Sequence, residues 1–149
     1  MNPRNTLASF DGFLAERGLR FEAVIVGGAA LYLLGVISRA TKDCDVLWPP
    51  LPEEIADAAR TFAAAMRGQG ENLADDWLNN GPASLTAQLP ADWRNRLQLA
   101  FAGRAMRLHA PGREDLLRSK LFALCDRGID LADWLEVLAD LARRLGHGV

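Results

Sequence analysis

The stretch VIVGGAALYLLGVISRATKDCDVL, residues 24–47, constrains the fold more than any other part of the chain. It begins inside a short β-branched run, Phe21 to Val26, which reads as a buried strand because branched side chains suit a pleated surface and offer no polar face. Gly27 and Gly28 close that run as a turn. AALYLLGV follows, built of helix formers and apolar all round, the character of a buried helix. Ser38 to Lys42 is a polar break, and a second strand is expected from Asp43 to Trp48, stopped by Pro49 and Pro50. Fourteen residues separate Gly28 from Asp43, enough for one helix and a return.

This unit also carries the chemistry. Residues two apart in a strand share a face, so Asp43 and Asp45 are expected to point together, into a cleft beside the Gly-Gly turn, while Cys44 points into the opposite layer. Adjacent carboxylates repel unless a cation lies between them. Magnesium or manganese suits such a pair, since a hard cation takes carboxylate oxygens and leaves other positions for phosphate and water. The glycines serve the same end, because without a Cβ the backbone N–H groups can approach a phosphate closely, where a helix begins. A DxD or a GG alone usually marks only a strand end or a turn; their occurrence in one strand, turn, helix, strand unit is what points to a nucleotide site.

The flanking sequence supplies further elements. Leu7, Phe10, Phe13 and Leu14 have helical spacing, and Gly18 ends a helix that should run from Leu7 to Arg17. Pro52 to Arg67 places Pro and two Glu in the first turn and apolar residues at Ile55, Ala59, Phe62 and Met66, signalling another helix. Gly68 to Asp92, rich in Gly, Asn, Asp and Pro, reads as a long loop with short pieces of structure, in which Trp77 serves core or lid packing or, with Asn79 and Asn80, helps cover a nucleotide base. Two strands, Leu97 to Phe101 and Ala105 to His109, are expected to form a hairpin at Gly103. Helices from Pro111 to Asp126 and from Asp130 to Leu145 complete an α+β fold, one domain with a small mixed β-sheet and flanking helices.

The sequence resembles the DNA polymerase-beta-like nucleotidyltransferase superfamily, whose pattern is Gly-Gly or Gly-Ser, a helix, then Asp-x-Asp or Asp-x-Glu. Within it, the chain looks like the minimal bacterial branch related to the AbiEii toxin nucleotidyltransferases, through Arg39, Thr41, Asp43 and Asp45, then Lys120, and a D-x-x-D at Asp130 and Asp133. The resemblance covers most of the chain outside Gly68 to Asp92. It implies a metal-dependent enzyme that moves a nucleotidyl group from an NTP to a hydroxyl on RNA, protein or a small molecule, and a place in a toxin-antitoxin or phage-defence pair with an antitoxin-type protein partner. The other implied role is an inactive module of the same fold that mainly binds that partner. Gly27 and Gly28 would hold the triphosphate with Arg39 and Thr41, Asp43 and Asp45 the metal, Lys120 the phosphate charge, and Asp130 a further acidic role. Only two lysines occur beside fifteen arginines, which favours a chosen role for Lys120 over a solvated one. The chain departs from the superfamily at one point, since LQLAFAGRAMRLHA holds no acid where a third catalytic carboxylate often lies on a later strand. Either Asp130 supplies that charge, or the site lacks a general base.

Charge and composition narrow the remaining classes. A formal charge of −2 and a pI near 5.7 exclude a general nucleic-acid coat, although Arg94, Arg96, Arg104, Arg107, Arg113 and Arg118 could form a local patch for an RNA acceptor. Cys44 and Cys125 have neither zinc-ligand spacing nor a disulfide framework and are expected as reduced thiols. No apolar run reaches the ~18 residues of a membrane span, and the first ten residues lack a signal-peptide core, so a cytoplasmic location is expected. His109 and His147 have no ligand spacing.

Overall fold

The structure, a computed structural model, describes residues 2–39, 41, 43–119, 135, 136, 139 and 143. Lys120, Asp130, Asp133 and Cys125, with most of the two C-terminal helices expected from sequence, lie outside the described residues. Helix α1, Pro3–Glu16, starts four residues before its apolar pattern does. The Asn2 side chain accepts a hydrogen bond from the Asn5 amide at 2.9 Å and Pro3 occupies the first turn, so the start is set by capping and carries no hydrophobic signal. Leu7, Phe10 and Leu14 line its buried face.

Strand β1, Phe21–Val26, exposes only Glu22 and lies in the middle of a five-stranded sheet. It continues directly into α2, Gly27–Leu33, so the two glycines form the first turn of this helix and no separate turn precedes it. Strand β2, Cys44–Trp48, returns antiparallel to β1, and α3, Glu53–Gly68, follows with Glu53 and Glu54 at its positive end and Arg67 in its last turn. Strands β4, Gln98–Ala102, and β5, Met106–Ala110, form the expected hairpin, with β5 parallel to β1.

The loop expected from Gly68 to Asp92 contributes a fifth strand. Leu78–Asn79 forms β3, parallel to β2, and the sheet order is β3-β2-β1-β5-β4. Two 3-10 stretches, Gly81–Gln88 and Trp93–Arg96, occupy the rest of the connection to β4. A two-residue strand has no periodicity to detect, because pairing with β2 and not the residues themselves makes it a strand. Residues 113–119 are helical.

The core joins α1 and α3 to the sheet through aromatic contacts. Phe10 lies 5.2 Å from Phe62 and 5.1 Å from Trp77, ring centre to ring centre, the second pair edge to face. Trp77 is fully buried and its Nε1 donates to the Ala59 carbonyl at 3.1 Å, so of the roles expected for it the structure shows core packing and not the cover of a base. The hairpin is held from α1 by Asp11, whose buried carboxylate accepts from the amides of Arg104 at 3.0 Å and of Ala105 and Met106 at 2.9 Å. Three charge-assisted bonds converge on one side chain across more than ninety residues of sequence. Among the described residues no helix is long and apolar enough to cross a membrane.

Candidate active site

The meeting of β1, α2 and β2 follows from backbone geometry. Gly27 has φ of 77°, a conformation that lets the chain leave β1 and enter α2 within one residue. An antiparallel register sets Val26 opposite Asp45, and so brings the Asp45 carboxylate onto the glycine. A Cβ at Gly27 would lie only 2.7 Å from Asp45 Oδ2. At Gly28 a Cβ would lie 3.3 Å from the Cβ of Thr41. Each glycine is therefore covered by one residue of the Thr41-x-Asp43-x-Asp45 stretch, and the lack of a side chain is used twice for close approach.

Asp45 is half-buried and Asp43, immediately before β2, is exposed. Between them Cys44 is buried, with its thiol pushed well above the ordinary value by that burial first and by the Asp45 and Asp43 carboxylates second. Both acids thus act electrostatically on one sulfur. Arg39 is exposed. The residue before it is held by Glu136, which accepts from the Ser38 amide at 2.7 Å.

Neighbouring side chains separate into structural ones and those that touch the candidate site. Asn80 accepts from the Leu51 amide at 2.6 Å and donates to the carbonyls of Val46 at 3.2 Å and Pro49 at 3.1 Å, fixing the exit of β2. Asn79 instead pairs with Asp45 across β2 and β3, its Nδ2 donating to Asp45 Oδ1 at 3.3 Å. From sequence both asparagines were candidates to help cover a nucleotide base, since nothing in the polar loop announces a strand register. Arg96 is committed to Asp115, with bonds of 3.0 and 3.1 Å to its two carboxylate oxygens, and to Asp92 at 2.7 Å. Its hydrogen bond holds the Asp92 carboxyl below the usual carboxylate range. Arg94 stacks over Trp93, 4.4 Å from the ring centre. Arg94 and Arg96, both expected in an RNA patch, thus have contacts within the fold. His109 sits within β5, paired to Val24 and Leu99.

Among the described residues no three His, Cys, Asp or Glu side chains gather as a cation site. The donor set of Asp43 and Asp45 nevertheless suits magnesium, which is commonly held by one or two protein carboxylates and completes its shell with substrate phosphate oxygens and water. A family model described as "Nucleotidyltransferase of unknown function (DUF6036)" matches residues 6–138, and the chain belongs to that family. No curated protein and no solved structure matches.

Proposed function

We propose that this member of a nucleotidyltransferase family transfers a nucleotidyl group from an NTP to an acceptor hydroxyl, using a divalent cation held by Asp43 and Asp45. The observation that carries this reading is the close approach of Asp45 to Gly27 and of Thr41 to Gly28, which sets a carboxylate and a hydroxyl beside the backbone at the start of α2. Magnesium or manganese there would neutralise phosphate charge and orient the triphosphate. The main-chain amides of Gly27 and Gly28 would hold the phosphates from the side that Asp45 and Thr41 do not cover, while Arg39 and Thr41 on the adjoining segment would add a cation and a hydroxyl. The acceptor oxygen attacks the α-phosphorus in line, the bond to the bridging oxygen breaks, and pyrophosphate leaves. By family resemblance Lys120 would compensate phosphate charge and Asp130 would supply the further acid that the β4-β5 hairpin lacks. The acceptor belongs to RNA, protein or a small molecule, and a toxin-antitoxin or phage-defence setting fits a minimal chain of this type.

The test is incubation of the full chain with each labelled NTP, magnesium or manganese, and total RNA plus cell extract, followed by a search for transferred label. Calorimetry with the same NTPs accompanies it. Magnesium-dependent NTP binding that disappears in the Asp43→Asn, Asp45→Asn double variant is the expected result. A wild-type protein that binds neither metal nor nucleotide at millimolar ligand refutes the proposal, and would leave a protein-binding module of the same fold.

A further inference from the structure

The residue opposite Asp45 on the β3 side is not a spectator. Parallel pairing aligns Asn79 with Asp45, and antiparallel pairing aligns Val26, so the three side chains form one row across β3, β2 and β1. In that row the carboxylate has glycine-lined backbone on one side and the Asn79 amide on the other. The amide is itself fixed. Its Nδ2 donates to Asp45 Oδ1 and to the Asp76 carbonyl, both at 3.3 Å, while its Oδ1 accepts from the Gly81 amide at 2.8 Å.

These three partners allow only one orientation. Rotating the amide by half a turn would set its oxygen against two acceptors and its NH₂ against a donor. A side chain that donates on one edge and accepts on the other is needed here, which at this length means asparagine. Gly81 permits the arrangement, since a Cβ on it would lie 2.8 Å from Asn79 Oδ1.

We infer that Asn79 is a positioning residue for Asp45. It holds Oδ1 in the sheet row, and, being neutral, it leaves Asp43 and Asp45 as the two carboxylates that face the cation. This role rests on the metal-binding reading of those two aspartates. Asn79 acts through Asp45, fixing the direction from which its carboxylate meets a metal.

Manganese alone, followed by the electron paramagnetic resonance of the unbound ion on the full chain, tests the inference. Asn79→Ala should weaken manganese binding about fivefold, the equivalent of one hydrogen bond of ordinary net strength. Asn79→Asp is the more decisive variant, because it keeps an acceptor for the Gly81 amide while turning the donor that faces Asp45 into a third carboxylate. Without metal its melting temperature should fall below that of wild type. It should then bind manganese about tenfold more tightly and recover its stability on saturation. A purely structural Asn79 predicts a different pattern, in which Asn79→Asp also melts below wild type but binds manganese with wild-type affinity and gains no extra stability from it. That result overturns the inference, and so does a folded Asn79→Ala that binds manganese as wild type does. Wild-type protein that binds no manganese overturns the metal reading as well, so the two failures are distinguishable.

Discussion

Replacing Gly27 by alanine adds one methyl group where β1, α2 and β2 converge, and the cost can be divided into two parts. The first is conformational. At φ of 77° an L-residue is strained by roughly 1–2 kcal/mol relative to glycine. The second is steric. The new Cβ would lie 2.7 Å from Asp45 Oδ2, so the carboxylate must turn away and give up its hydrogen bond from Asn79, a loss of about 1 kcal/mol. The total is about 2–3 kcal/mol, or a fall in melting temperature of roughly 4–12 °C for a domain of this size. Gly35 supplies the control, since its φ of 75° is nearly the same and nothing lies within 4 Å of its Cβ position. Gly35→Ala should therefore cost the conformational part alone. In an Asp45→Ala background the cost of Gly27→Ala should drop to the Gly35 level, leaving a coupling of about 1 kcal/mol. Urea denaturation of the four proteins of this cycle, with Gly35→Ala beside them, measures each quantity provided the slopes agree. Equal costs for the two glycine variants, or an unchanged cost of Gly27→Ala when Asp45 is absent, would refute the account. Magnesium-dependent NTP binding should be lost in Gly27→Ala and kept in Gly35→Ala.

Two further outcomes test the scaffold. Asp11→Ala leaves three backbone amides of the β4-β5 hairpin without their acceptor and should cost on the order of 3–5 kcal/mol, with Asp11→Asn intermediate; a midpoint within 1 kcal/mol of wild type in urea would show that water replaces the carboxylate at little cost. Cys44 should make the protein alkali-sensitive. Its folded pKa is raised above the ordinary 9.0, so the stability it contributes is complete below about pH 9 and declines above it, where the unfolded thiol ionises and the buried one does not, by up to about 1.4 kcal/mol per pH unit. In a Cys125→Ser background, adding Cys44→Ala should flatten that decline in urea midpoints measured between pH 8 and 10, and an unchanged slope would exclude Cys44 as its source.

What the sequence determined by itself lies in residues whose local chemistry admits few arrangements. The β-branched run ending in Gly27 and Gly28 could be little other than a buried strand, and β1 spans the six residues expected, Phe21–Val26, although the glycines proved to be the first turn of α2 and not a separate turn. Helix α3 was equally legible, because its apolar residues recur at helical spacing behind a proline and two glutamates. The hairpin at Gly103 followed from two short strand-like runs joined at a glycine. Asp43 and Asp45 stood out because two acids, one residue apart at a strand start, require an explanation. Tertiary structure alone decided which groups meet. That β5 lies parallel to β1 is a matter of chain crossing, and no residue in β5 states it. Trp77 could have been a lid or a core residue from its setting in a polar loop, and the packing of α1 against α3 buried it. Asn79 belongs to a strand only because β2 presents an unpaired edge to it, and its hydrogen bond to Asp45 depends on that register. The contact between Gly27 and Asp45 is of the same kind. Composition and spacing act over a few residues, whereas a carboxylate is set beside a backbone turn by sheet pairing, and a shift of one residue in that pairing would send the side chain to the other face.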